Sequence, residues 1–341
     1  MKKWNVIGSL LCTLCLFAQA VFGVTGSVTA AAESGMVSDV LDVDYSTGSA
    51  ENTAPGNTGL IAGTGNSVSF NPDLVLGKKV AVFDGSSGFG YQLTQETLDK
   101  IAGGYTLELM CKVNTRSNGA ILGNMYGNKG FGLTSEAGGD LKYYQRFTTN
   151  TNVYRQCWYS YGPNGSEGYP ANEWMHITIS CNTSTGYMAM YINGVFYDSI
   201  TQGATALDMS SDADQVLYIG GNSDAGVFST GMKGSIAFVK MSSHIATPEE
   251  AVSLYENVSA TMADMLCVDY SSGSADNLAP SGAQLVDGTG ITAAFEEDAA
   301  LDRTVASFDS KSGFGYRMTS DIYNKMNDGY TIEVLCKLSE M

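Results

Sequence analysis

The sequence predicts an all-β protein: a two-sheet antiparallel β-sandwich or jelly roll. Three observations carry this. Short stretches along most of the chain alternate apolar and polar residues with period two, the mark of half-buried strands. Glycine outnumbers proline forty to six and there are 19 tyrosines, which suits short strands joined by tight turns. Helical patterning is confined to two brief segments, so no helical layer is available to cover a parallel sheet.

Taken in order, Leu41–Tyr45 is a short strand followed by the turn-rich STGSAENTAPGNTG. VAVFD (Val80–Asp84) and Phe89–Leu93 are strands either side of a Gly/Ser turn. TQETLDKIA, from Thr94 to Ala102, is a helix of one to two turns with Thr94 as N-cap and Gly103 past its end. YTLELMCKV then alternates cleanly, with Tyr105, Leu107, Leu109, Cys111 and Val113 on one face. Ala120–Asn124, Gly130–Thr134 and Leu141–Phe147 are further strands, and Tyr143–Tyr169 is a tyrosine-rich tract. Met175–Cys181, Tyr187–Ile192 and Val195–Ser199 form a three-strand meander. Its second turn is Asn193-Gly194, which suits a type I′ hairpin because both central residues need φ > 0. QVLYIG (Gln215–Gly220) and GSIAFVKM (Gly234–Met241) are the last strands. Thr247-Pro248-Glu249-Glu250 opens a closing helix to about Asn257, with Thr as N-cap, Pro at N1 and carboxylates at the positive end.

The chain carries 35 acidic and 18 basic residues, a formal charge of −17, with no stripe of Lys and Arg to bind a phosphate backbone. This points away from nucleic-acid partners. Lys2 and Lys3 precede an apolar run from about Val6 to Val24, and Ala30-Ala31-Ala32 offers an A-x-A cleavage site. Residues 1–32 therefore read as a signal peptide, Ala18-Gln19-Ala20 being a second cleavage candidate, and the protein is expected to be secreted or at the cell surface. The run is also near the ~20 residues that span a bilayer, so an uncleaved anchor is the other reading. Of seven cysteines two lie in this leader, and the remaining odd number contains no C-x-x-C, which argues against a disulfide framework.

The sequence also repeats. Asp39–Val113 realigns with Asp264–Leu338 at one constant offset and without a gap, DVLDVDYSTGSAENTAP against DMLCVDYSSGSADNLAP and GYTLELMCK against GYTIEVLCK. The spacing far exceeds the roughly 20–50 residues of stacked solenoid repeats, so two neighbouring domains of one kind are expected. Residues 39–258 would be a complete sandwich. Residues 264–341 would be the N-terminal part of a second, truncated one, whose apolar faces cannot all be buried.

These residues resemble the laminin-G-like jelly roll of the concanavalin A-like lectin/glucanase superfamily. The matching pieces run in the family's order: Phe83-Asp84-Gly85, YTLELMCK with Met110 where a tryptophan is usual, Trp174-Met175-His176, MYING (Met190–Gly194), LYIGG (Leu217–Gly221), GSIAFVKM and the ATPEEAVSLYENV helix. The resemblance implies a sandwich of some fourteen strands that binds glycans or proteins through loops at one rim, often with calcium. Some relatives are glycosidases, and the D-V-D-Y-S opening looks like units found beside calcineurin-like metallophosphoesterase domains.

Catalysis finds little support in the residues. Retaining glycosidases need two carboxyls about 5–5.5 Å apart, and laminarinase-type relatives supply them from an E-x-D-x-E strand. The matching strand here has only Glu108, expected to face solvent or pair with a cross-strand base. Asp42/Asp44 and Asp212/Asp214 are i, i+2 pairs without a third acid, and Asp42 becomes Cys267 in the repeat. With only His176 and His244, a two-metal phosphoesterase centre cannot be assembled, and His176 reads as a hydrogen-bonded structural residue. Three G-F-G triplets, at Gly88, Gly130 and Gly313, read as tight sheet corners. Asp84, Asp212, Asp214 and Asp224 lie on loops and offer hard oxygens for calcium, against the ordinary use of Asp in turns. Trp158, Tyr159 and Tyr161, with Arg155 beside them, could offer flat faces to sugar rings. The expectation is a non-catalytic binding module for a polysaccharide, a glycosylated surface or a protein. The alternatives are the accessory region of a secreted metallophosphoesterase or glycoside hydrolase whose catalytic domain follows residue 341, and an adhesion or structural tandem.

Overall fold

The computed structural model describes residues 36–341 except 57, 126–128, 147–153, 160–167, 202–214, 225, 260–261, 264, 280–281, 291–292, 310–312, 328–329, 333 and 338–341. At 146 and 154–159 it describes the backbone alone. The leader and both cleavage candidates therefore lie outside the described residues.

Among the described residues, seventeen strands are found up to Ser242. They are β1 (Leu41–Asp44), β2 (Gly59–Leu60), β3 (Ser69–Asp73), β4 (Lys78–Asp84), β5 (Phe89–Gln92), β6 (Tyr105–Val113), β7 (Gly119–Gly123), β8 (Phe131–Ser135), β9 (Leu141–Arg146), β10 (Tyr154–Tyr159), β11 (Trp174–Asn182), β12 (Tyr187–Ile192), β13 (Val195–Thr201), β14 (Val216–Ile219), β15 (Asn222–Asp224), β16 (Val227–Ser229) and β17 (Lys233–Ser242). Helix α1 (Gln95–Ile101) lies between β5 and β6, and α2 (Pro248–Ser259) follows β17. One antiparallel sheet runs β13-β12-β11-β6-β17-β4-β3, and the other runs β10-β9-β8-β7-β14-β5-β2. Strand β17 is long enough to serve two neighbours on one edge: Lys233–Ile236 pair with β4 and Phe238–Met241 with β1. Strand β1 is thereby clasped to β17, the last strand of the sandwich among the described residues, and Asp39 reinforces the clasp by accepting from the backbone N–H (2.8 Å) and hydroxyl (2.7 Å) of Ser243.

The alternating residues of β6 and β11 enter one core. Tyr105, Leu107, Leu109, Cys111 and Val113 meet Met175, Ile177, Ile179 and Cys181, and the opposite sheet adds Tyr91, Ile121, Phe131, Leu133 and Leu217. Cys111 and Cys181 are buried, and the Cys181 thiol donates to Gln145 Oε1 at 3.0 Å. The meander is built as its sequence predicts, with Asn193 at φ 50° and Gly194 at φ 72°. Its alternation predicts one solvated face, and there the structure differs. On the far face, Thr106, Glu108, His176, Thr178 and Ser180 are also buried. The cover comes from later in the chain, where Ala251 of α2 packs on Ala189 and Tyr191. Strand β3 escaped the period-two pattern because it contains Pro72, tolerated at a sheet edge where β4 is its one partner.

Past α2 the described residues hold β18 (Gln284–Leu285) paired with β21 (Tyr316–Arg317), β19 (Ala294–Asp298) paired with β20 (Arg303–Ser307), and helix α3 (Ser320–Asn327). Local details recur at the repeat's offset. Tyr45 stacks on Phe89 with centroids 5.7 Å apart, as does Tyr270 on Phe314. Asn52 Nδ2 donates to the carbonyls of Val40 and Thr58, and Asn277 Nδ2 to those of Met265 and Ala283. The stretch aligned with β6 forms no strand in its described residues, and Tyr330, Ile332, Val334 and Leu335 are exposed there.

Candidate functional site

The far face of the β13–β3 sheet holds the position where carboxylates are expected from the glucanase resemblance. Glu108 stands there, but it does not face solvent. Its Oε1 lies 2.9 Å from His176 Nε2, and the two side chains are 3% and 0% exposed. The partner sits one alternate position along β11, since the register sets Glu108 opposite Thr178 and His176 opposite Met110. The imidazole is flanked by Phe238 (6.2 Å) and by Tyr255 of α2 (5.9 Å). His176 Nδ1 and Thr178 Oγ1 are buried without a hydrogen-bond partner among the described residues. Neighbouring polar groups tether the strap into α2: Thr106 Oγ1 donates to His244 O and accepts from Ala246 N, and Ser180 Oγ donates to Ala246 O. A capping box then starts the helix, Glu250 N donating to Thr247 Oγ1 (3.2 Å) and Thr247 N to Glu250 Oε2 (2.7 Å). This face is a covered polar seam: a substrate in solution cannot reach Glu108. His176 is the hydrogen-bonded structural histidine its pattern predicts.

Beside the seam lies a second polar node. Asp73 accepts from Trp174 Nε1 (3.1 Å) and from Leu76 N (3.2 Å), and pairs with Lys112 Nζ at 2.7 Å. The ammonium also sits 4.8 Å from the centroid of the Trp174 ring. The chain leaving α2 crosses this region. Ala263 N donates to Val75 O, and Val258, Met262 and Cys267 pack on the cluster of Val75, Leu76, Met110, Trp174 and Phe238. The sequence offered Glu108 a cross-strand base and His176 a hydrogen bond without joining the two, and it did not single out the Asp73 node. A signal for the node existed, because Asp73 and Lys112 recur as Asp298 and Lys337, which also pair, at 3.8 Å.

The predicted site residues fall elsewhere. Arg155, Trp158 and Tyr159 lie on β10, an edge strand in register with Gln145, Lys142 and Leu141 of β9, and their side chains lie outside the described residues, as does all of Tyr161. Two aromatics of the same tract are core residues: Tyr143 bonds Tyr105 hydroxyl to hydroxyl, and Tyr169 OH donates to Thr115 O. Of the calcium candidates, Asp212 and Asp214 lie outside the described residues. Asp224 is exposed at the end of β15. Asp84 is exposed and closes its own turn, Oδ1 accepting from Ser86 N, Ser86 Oγ and Ser67 Oγ. The Ser86 hydroxyl and then its N–H hold that carboxyl below the usual range. Asp84 and Asp224 thus stand on different elements, and among the described residues no group of three or more His, Cys, Asp and Glu is placed to hold a metal.

Two packed antiparallel sheets with this strand order define a jelly-roll sandwich of the concanavalin A type. Residues 84–252 match the laminin-G model of the concanavalin A-like lectin/glucanases superfamily, so the resemblance carried by the motifs holds for this part of the chain. The match does not extend to residues 264–341. No curated protein matches the sequence. Among solved structures, the chain is similar to the receptor binding domain of botulinum neurotoxin C/D mosaic serotype (TM-score 0.52, 15% identity, 77% of this chain and 60% of that one). It is also similar to the receptor binding domain of botulinum neurotoxin D (TM-score 0.51, 17% identity, 77% and 62%). A third is a structure of botulinum neurotoxin type C whose cell entry is described as dependent upon interaction with two ganglioside molecules (TM-score 0.50, 14% identity, 65% and 51%). The chain spans between about half and three-fifths of the length of these structures, and at such identities the likeness is one of fold.

Proposed function

We propose that residues 39–258 are a non-catalytic binding module of an exported protein, with a glycan or a glycosylated surface as ligand. The observation that carries the first half is the sealed face. The acid nearest in position to a glucanase carboxylate is committed to His176 beneath α2. Recognition then falls to loops, edges and clefts. The charge of −17 favours no anionic polymer, and the leader motif in residues 1–32 supports export. The glycan ligand draws support from the fold's resemblance and from the ganglioside dependence described for one similar toxin. The test is a glycan array probed with the full chain recovered from the medium or envelope of an expressing cell, alongside a reducing-end assay on the glycans that bind. Binding without cleavage is expected. A blank array would refute the ligand class, turnover would refute the non-catalytic reading, and retention in the cytoplasm would refute export.

A further inference from the structure

A cavity of about 240 Å³ opens where the second repeat meets the sandwich. The sandwich supplies the Asp73–Lys112–Trp174 node and the neighbours Asn172 and Glu173, while the repeat supplies Asp269 and Leu278. Two of the three carboxylates are already matched. Asp73 holds Lys112, and Asp269 is paired with Arg303. Glu173 is exposed, and neither it nor the Asn172 amide has a partner among the described residues, so an acceptor and a donor stand side by side at the mouth. Leu74 (42% exposed) and Leu278 (50%) give apolar surface next to them. The volume is below the roughly 300–1,000 Å³ of drug-sized sites, which suits a single ring.

Resting on the binding-module reading above, we propose that this cleft between the sandwich and the repeat binds one neutral hexose unit of the glycan. Once the two ion pairs are counted, the one uncompensated charge among the described residues that line the cleft is the negative Glu173. That repels sialic acid, uronates and phosphate. A neutral sugar can donate hydroxyl protons to Glu173 and accept from Asn172 while its apolar C–H face lies on Leu278. The cleft needs both walls, which gives the docking of Met262 and Cys267 on the Trp174 cluster a functional consequence: the repeat completes a site that the sandwich alone lacks.

The experiment titrates the full chain, and its Glu173→Ala, Asn172→Gly and Leu278→Phe variants, with neutral manno-, gluco- and galacto-oligosaccharides and with sialylated and uronate-bearing glycans. Calorimetry gives the Kd. Fluorescence is read in a Trp4→Phe/Trp158→Phe background, whose Kd is first compared with that of the parent, so that Trp174 alone reports occupancy. Glycine is chosen at 172 because Asn172 has φ 63°, where alanine would be strained. Neutral glycans should bind, at least tenfold more weakly in Glu173→Ala, and with no Trp174 response in Leu278→Phe, whose ring crowds the cavity. All three side chains are exposed or at the rim, so melting temperatures should not move. Binding that all three variants leave within twofold of the parent would overturn the cleft while the binding module stands. Binding of acidic glycans alone would overturn the ligand class. No binding of any glycan would overturn both this assignment and the reading beneath it.

Discussion

Replacing Glu108 by alanine should be among the most destabilising single changes available in this fold. The carboxylate is 3% exposed and its partner imidazole 0% exposed, so water cannot substitute for either. His176 already has one nitrogen, Nδ1, without a partner among the described residues, and the variant would orphan Nε2 as well. Removing one member of a buried, hydrogen-bonded pair costs about 3–5 kcal/mol. At about 2–4 °C per kcal/mol for a domain of this size, melting should fall by about 6–20 °C. Differential scanning calorimetry on Glu108→Ala, His176→Ala and the double variant separates this from plain cavity formation. The double variant leaves no orphan, so its cost should fall short of the summed single costs by about 1–3 kcal/mol. A volume-matched apolar pair, Glu108→Met with His176→Leu, should melt within a few degrees of the parent, since such pairs add specificity more than stability. If Glu108→Ala melts within about 2 °C of the parent, or the two single costs simply add, the pair is not what holds this seam.

Three further outcomes follow from local geometry. Gly194→Ala should cost about 1–2 kcal/mol in urea denaturation, because the residue sits at φ 72° and its new Cβ would stand 3.1 Å from Tyr255; an unchanged midpoint would contradict the I′ turn. Burial pushes the Cys111 thiol up to about 12, so thiol reagents at pH 8 should label exposed Cys336 at once and Cys111 only on unfolding; fast labelling of native Cys111 would mean the core is open. The Thr247 N–H, and then His244, hold the Glu250 carboxyl below its usual range. A lowered folded value stabilises above the unfolded pKa of about 4.3 and is lost as the pH falls through the folded one. Glu250→Ala should therefore be less stable than the parent at pH 7, with the gap closing below about pH 4. An equal gap at pH 7 and pH 3 would dismiss the capping box as its source.

Much of the sandwich was legible because its signals are local. YTLELMCKV marks its own strand and inward face by period-two alternation, and Asn193-Gly194 names its turn by the φ values the turn demands. Thr94 and Thr247 announce their helices by the hydroxyls that cap them. β10 was hidden because a run of tyrosines and polar residues shows no clean alternation, and β3 because Pro72 is a strand residue only at an edge. The candidate site was far less legible. The alternation in WMHITIS marks His176 as a hydrogen-bonded structural residue, but it names neither the partner nor the cover that seals this face. Its burial is set by Tyr255 and α2, some eighty residues on, and its hydrogen bond by Glu108, 68 residues back. Strand identity, core face and turns were thus determined by the sequence alone, because they depend on neighbours two to four residues away. Which polar residues are sealed, and which walls form a cleft, was decided only in the tertiary structure, because it depends on what the rest of the chain lays over the sheet.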